Sequence, residues 1–269
     1  GHYGHWTNPT GERYDDLITR ILADGTQRHF DLGDLSESGN ASHYPDIKSK
    51  YDAMGVPYHV AIGNHDDSAV VKATFGIPAD GFYTIIDENY AWIVMPANIM
   101  YSQMTISQLT YLEAQLELLE DKLVFILAHV PQKKLQPGLG VSDVDSLQFI
   151  RIVEEHASHI GAVVFGHIHT PTVVEENGVH YVNTGTFGSD DANTLGVYGY
   201  MLFSISSNGG EHTISVSYRD VSTGNAVPGL SATWTIATQP PGERPTYVWD
   251  GEGATELASE AANWYQDIG

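Results

Sequence analysis

Two uninterrupted apolar runs limit what this chain can fold into: "KLVFILAHVP" (122–131) and "GAVVFGHIHT" (161–170). Runs of four to eight apolar residues bounded by polar ones read as strands buried in a layered fold. Both runs stop at imidazole, the first at His129 and the second at His167 and His169. Strand ends of this kind are where an α/β sheet gathers its ligand-binding loops. His167 and His169, two residues apart, could both point at one metal-sized hole. Taken singly, each is equally well a satisfied polar residue at the edge of a core.

The rest of the first two thirds alternates helix and strand. "LITRILAD" (17–24) is amphipathic at helical spacing and leads into "RHFDLGDL" (28–35), a short strand ending at Gly33-Asp34. "YPDIKSKYDAM" (44–54) reads as a helix with Pro45 near its first turn, and "PYHVAIGNHD" (57–66) as a strand with a polar end. Thr105 and Gln108 fit a capping box opening the long helix in "TISQLTYLEAQLELLED". A further helix is expected within 142–157.

From about Thr172 the pattern turns to β. Asn177-Gly178 is a strong hairpin signal between alternating runs, and "SNGG" marks a second hairpin between "VYGYMLFSIS" and "HTISVSYRD". Beyond Asp220 the chain is rich in Gly, Pro, Ser and Thr, with "QPPGERP" (239–245) as linker and a weakly helical acidic end. The expectation is a mixed α/β sandwich in which two sheets pack together, with helices outside. One domain would cover 1–220, with 221–269 as an extension made of a strand, a Pro/Gly-rich linker and an acidic tail.

Charge decides which partners are excluded. Thirty-four acids against 12 bases give a net charge of −22, a field that repels nucleic acid and anionic membrane, both held through Lys and Arg on phosphates. The deficit of basic residues also suits a prokaryotic protein hydrated in strong brine. Without cysteine, disulfides and thiolate metal sites are excluded. No run approaches the roughly 18 apolar residues of a membrane span. No signal peptide is visible, although an upstream one is compatible with the way the chain opens, so cytoplasm and secretion both stay open. Oligomeric state is not legible.

Asp34 in "GD", Asn64-His65-Asp66 in "GNHD", His129 in "AHVP" and His167 and His169 in "GHIH" each follow an expected strand. Oxygen and nitrogen donors without sulfur suit Mn, Fe, Zn, Co or Ni. Two such ions about 3.5–4 Å apart form the clamp for in-line phosphoryl displacement, with a bridging carboxylate and an activated hydroxide. Asp34 is the obvious bridge. Singly, "GD" is a turn, "GNHD" a helix start and His129 a buried hydrogen-bonded imidazole; the joint order is what points to chemistry.

That order, G-D, G-N-H-D, a strand-terminal H and G-H-x-H, resembles the calcineurin-like metallophosphoesterases from the N-terminus to about Gly185. "SQLTYLEAQL" and "GVHYVNTGTFG" are similar to that family's helix before the lone histidine and its strand after the G-H-x-H loop. The resemblance implies an α/β fold, a four-layer sandwich of two mixed β-sheets flanked by helices, with a centre of two divalent ions. Asp34 would bridge them, Asn64, His129 and His167 would hold the second, and His169 with His2 the first. His65 would steady the transition state or protonate the leaving oxygen, oriented by Asp66. The family's first motif, D-x-H-x-G, is incomplete: His2 and Gly4 fit its tail, but its aspartate would fall one place before Gly1. Asp250 in "TYVWDG" is a remote substitute. His43, His59, His156, His159 and His180 are not recruited, and His5 stays open.

The implied activity is metal-dependent hydrolysis of a small or extended phosphoester. Diesters resembling cyclic nucleotides stand slightly ahead of monoesters, through likeness to the family's small bacterial-type branch. A nuclease is opposed by the acidic surface. The alternative is a catalytically impaired binding module that retains the fold. A metallo-β-lactamase would need Asp-His after H-x-H, where Thr170-Pro171-Thr172 stand.

Overall fold

In the computed structural model, residues 12–96, 104–132, 135, 146–188, 195–238, 246–249 and 264–267 are described. Two compact units divide after Thr238. The first opens with α1 (Glu12–Ala23), β1 (His29–Asp31), α2 (His43–Ala53), β2 (Tyr58–Val60) and α3 (Ser68–Phe75). It continues with β3 (Tyr83–Ile86), β4 (Tyr90–Met95), α4 (Ile106–Leu118), β5 (Leu123–Ala128), α5 (Leu147–Glu155) and β6 (Ile160–Phe165). Hairpin strands β7 (Thr172–Glu176) and β8 (Val179–Asn183) follow, then β9 (Gly199–Asn208), β10 (Glu211–Asp220) and β11 (Ala226–Ala237).

The main sheet runs β3-β4-β5-β6-β8-β7, parallel through β4, β5, β6 and β8 with antiparallel edges. All six residues of β5 are buried, and strand periodicity sends them alternately to two cores. Val124, Ile126 and Ala128 pack under α4 and α5 against Leu112, Leu116, Phe149 and Ile152. Leu123, Phe125 and Leu127 face the opposite layer, where they meet Ile214, Val216 and Trp234. The second layer holds the parallel pair β1-β2 and the antiparallel β9, β10 and β11. Among the described residues these are separately hydrogen-bonded sheets. Tyr14, Leu17 and Ile21 of α1 and Tyr44, Ile47 and Tyr51 of α2 cover it from outside. The outcome is the expected sandwich: helices, sheet, sheet, helices.

Local signals hold where the chain supplies its own chemistry. The Thr105 side chain accepts from the Gln108 N–H and the Gln108 side chain from the Thr105 N–H, closing the capping box of α4. Asn177 and Gly178 take φ of 52° and 79°, the left-handed pair that a two-residue hairpin requires. The hairpin Tyr83–Ile86 with Tyr90–Met95 was not foreseen, because its connection Asp87-Glu88-Asn89 contains neither Gly nor Pro.

The expected boundary at 220/221 differs from the compact units. Ala226–Ala237 pairs along β10, and Trp234 donates its indole N–H to the Gly161 carbonyl and stacks on His180 at 4.2 Å. In the second unit, the expected weakly helical end instead contains a strand. Trp264–Asp267 pairs antiparallel with Thr246–Trp249, as their aromatic content favours. Among the described residues no helix is long and apolar enough to cross a membrane.

Candidate metal centre

Two loops meet first. Gly33 follows β1 and Gly63 follows β2, and they lie against each other: a Cβ on Gly63 would collide with Asp34 N and Oδ1, and one on Gly33 with Gly63 N. Gly33 has φ of 101°, a conformation open to glycine. The contact brings the carboxylate of Asp34 onto the "GNHD" loop, where the His65 N–H donates to Asp34 Oδ1 at 2.9 Å. Asp34 itself has φ of 52°. Left-handed non-glycine residues are uncommon and cluster at functional sites.

From the main sheet His129 enters at the end of β5, 2% exposed. Its Nδ1–H donates to the Leu32 carbonyl at 2.7 Å. Its Nε2 lies 3.0 Å from Asp34 Oδ2 and 3.0 Å from Asn64 Oδ1. A neutral imidazole that has given its one N–H to Leu32 offers these two acceptors only a lone pair. The three atoms are satisfied together by a proton on Nε2 or by a cation between them. Burial alone lowers His129; the Asp34 carboxylate beside it and the Leu32 carbonyl outweigh this and hold it above its ordinary value. The carbonyl-anchored ring nitrogen is also the arrangement that orients metal-binding histidines.

His167 completes the group. Its ring centroid lies 5.3 Å from that of His129, and ligand atoms of Asp34, His129 and His167 all fall within 4.8 Å of one another. Burial, and then the neighbouring His129, lower His167 to about 4, so it stands neutral and able to coordinate at neutral pH. His169 lines the same cavity of about 630 Å³, together with Asp34, His129 and His167. The donor set and its geometry fit a divalent cation of the nitrogen- and oxygen-loving kind. His2, His5 and Asp250 lie outside the described residues.

Asp66 does not take the place expected of it. Its carboxylate accepts the N–H of Ser36 at 3.1 Å and of Gly63 at 2.9 Å, tying the Asp34 loop to the Asn64 loop. The ring of His65 is met instead by Glu37, whose carbonyl lies 2.9 Å from Nδ1 and whose carboxylate lies 3.8 Å away. The reason is local: two backbone donors facing a half-buried carboxylate hold it more firmly than an exposed imidazole would. Nothing in "SES" (36–38) signals the part played by Glu37.

Fold and cluster together define a class, layered α/β proteins with a cluster of nitrogen and oxygen donors at the strand ends. The chain belongs to the calcineurin-like phosphoesterase family, whose model matches residues 10–171. It is 28% identical over 156 residues to an Arcobacter nitrofigilis protein named "Probable glycerophosphodiester phosphodiesterase GpdQ", covering 51% of this chain and 54% of that one. It is 20% identical over 157 residues to a 3',5'-cyclic-nucleotide phosphodiesterase of Nostoc sp., covering 56% and 59%. The chain thus spans little more than half the length of these curated relatives. Among solved structures, a dimetal phosphatase from Danio rerio superposes with a TM-score of 0.63 at 12% identity, covering 85% of this chain and 89% of that one. GAP50, the anchor in the inner membrane complex of Plasmodium, superposes with a TM-score of 0.62 at 13% identity, covering 87% and 86%. These likenesses show the fold.

Proposed function

We propose that the chain hydrolyses small phosphoric esters with two divalent ions at this cluster, phosphodiesters ahead of monoesters. The observation that carries the reading is the meeting of Asp34 Oδ2 and Asn64 Oδ1 at His129 Nε2, both at 3.0 Å. In this reading Asp34 would bridge the ions, Asn64, His129 and His167 would hold one, and His169 with His2 would hold the other. Mn, Fe, Zn, Co or Ni suits the donors. Bound ions would polarise the phosphoryl oxygens and lower the pKa of a water to near neutral.

The remaining work belongs to the chain. Leu32 fixes the His129 tautomer, and Asp66 fixes the spacing of the Asp34 and Asn64 loops. His65, exposed beside the cluster, keeps Nδ1 on the Glu37 carbonyl, and its Nε2 would exchange a proton with the leaving oxygen. The preference for diesters is supported by two relatives named as phosphodiesterases. The net charge of −22 keeps long polyanions away. Whether that charge also reflects a brine habitat is read from the melting temperature in molar potassium chloride, which then rises.

The test compares bis(4-nitrophenyl) phosphate with 4-nitrophenyl phosphate after loading with Mn or Co. Faster diester turnover is expected, and His65→Ala should reduce it by about 10²–10⁴-fold with metal content unchanged. Faster monoester turnover reverses the preference. A loaded, folded protein that turns over neither substrate favours the binding-module alternative.

A further inference from the structure

The G-H-I-H loop is held in an unfavourable shape, and one buried side chain outside the ligand set holds it. His167 has φ of 62°, and the Ile168 N–H reaches back to the Gly166 carbonyl at 2.6 Å. The three residues therefore form a γ-turn with His167 at its centre. A γ-turn of positive φ is rare and strained, and a residue bearing a Cβ keeps such a conformation only where its surroundings impose it.

The imposing groups can be named. The Gly166 N–H is anchored on the His129 carbonyl at 3.0 Å. The Gly166 carbonyl accepts a second bond, from Asn183 Nδ2, at 2.5 Å. Asn183 closes β8, is wholly buried, and pairs in parallel register with Phe165. Its Oδ1 accepts the Gly185 N–H at 3.0 Å. Both ends of its amide are thus engaged by backbone, which fixes which end faces Gly166. The peptide immediately before His167 is clamped from below by a side chain that cannot turn away.

We propose that Asn183 is a positioning residue: by clamping the Gly166 carbonyl it holds the γ-turn that aims the His167 imidazole at the group formed with Asp34 and His129. The inference rests on the reading of that group as a metal centre. Asn183→Asp keeps the shape and the acceptor for Gly185 but turns a lone pair toward the Gly166 carbonyl. Asn183→Ala removes both bonds without that repulsion. Each should reorient His167 while leaving Asp34, Asn64 and His129 in place.

The experiment is a double-mutant cycle read by Co2+ affinity on folded protein, with circular dichroism as the check of folding. Asn183→Asp should weaken Co2+ binding by about 10–100-fold, the cost typical of removing an outer partner of a metal ligand. In the His167→Ala background the same substitution should cause no further weakening, whereas with His129→Ala the losses should add. Asn183→Ala should behave alike, with a smaller loss, and it carries the cycle if the Asp variant does not fold. Losses that add with His167→Ala, or Co2+ affinity unchanged in a folded Asn183 variant, overturn the positioning role. If His167→Ala itself binds Co2+ as the parent does, it is the metal-centre reading that fails.

Discussion

Two pairs of strands deliver the cluster, and they hold their ends by different means. β5 and β6 are six residues each and buried at every position. β1 and β2 are three residues each, and only the last of each is buried. The loops of the short pair are fixed by buried polar groups instead. Asp31 accepts the Gly33 N–H at 3.0 Å and the Tyr51 hydroxyl at 2.6 Å, Asp66 spans the two loops, and Tyr44 accepts the Asp67 N–H at 2.8 Å. The strands behind the histidines are therefore placed by packing, and the carboxylate loops by hydrogen bonds. Damage to the packing should appear as lost stability, and damage to the hydrogen bonds, those of Asn183 included, as lost metal geometry.

The largest effect belongs to the packed half. Phe125 is 3% exposed and meets Phe203 edge-on at 6.1 Å between the sheets. Phe125→Ala should lower unfolding free energy by about 3–5 kcal/mol, measured by urea denaturation, with metal affinity preserved in the molecules that remain folded. Asp66→Asn is the counterpart. It weakens two charge-assisted bonds, and Co2+ affinity should fall by about 10–100-fold for a smaller stability loss than Phe125→Ala. A reversal of the two rankings would break the distinction between halves.

The smallest effect is a pH response on the packed side. His159, just before β6, is 4% exposed, and its Nε2 lies 3.2 Å from the Leu116 carbonyl. Burial, and then its neighbour His156, lower its pKa. The folded state keeps it neutral while the unfolded chain takes up a proton below about pH 6.5. Stability from this group is thus present above that value and is lost as pH falls toward the depressed one. His159→Gln should flatten the decline in melting temperature of metal-free protein between pH 7 and 5; an unchanged slope would remove His159 from the account.

The difference between the halves also decides what could be read from sequence. His129 and His167 were legible because each ends an apolar run that has no other use than burial. The hairpin at Asn177-Gly178 and the capping box at Thr105 were legible because each signal lies within four residues. Asp66 was named as a site residue, but its bonds were not legible, since they run to Ser36, 30 residues away, and to backbone atoms that carry no sequence signature. Asn183 was passed over for the same reason. β11 read as extension because, of its twelve residues, Trp234 alone is buried, so the Gly, Pro, Ser and Thr between dominate its pattern.

Asp34, Asn64, His129 and His167 are proposed to form one divalent-ion site, and calorimetric titration of Co2+ into the parent chain, His129→Ala and His169→Ala decides whether they do. The parent should bind at least one ion tightly, His129→Ala should bind that ion much more weakly, and His169→Ala should keep it, because His169 is proposed to serve the other one. A His129→Ala protein that is folded and binds Co2+ as tightly as the parent would contradict the claim.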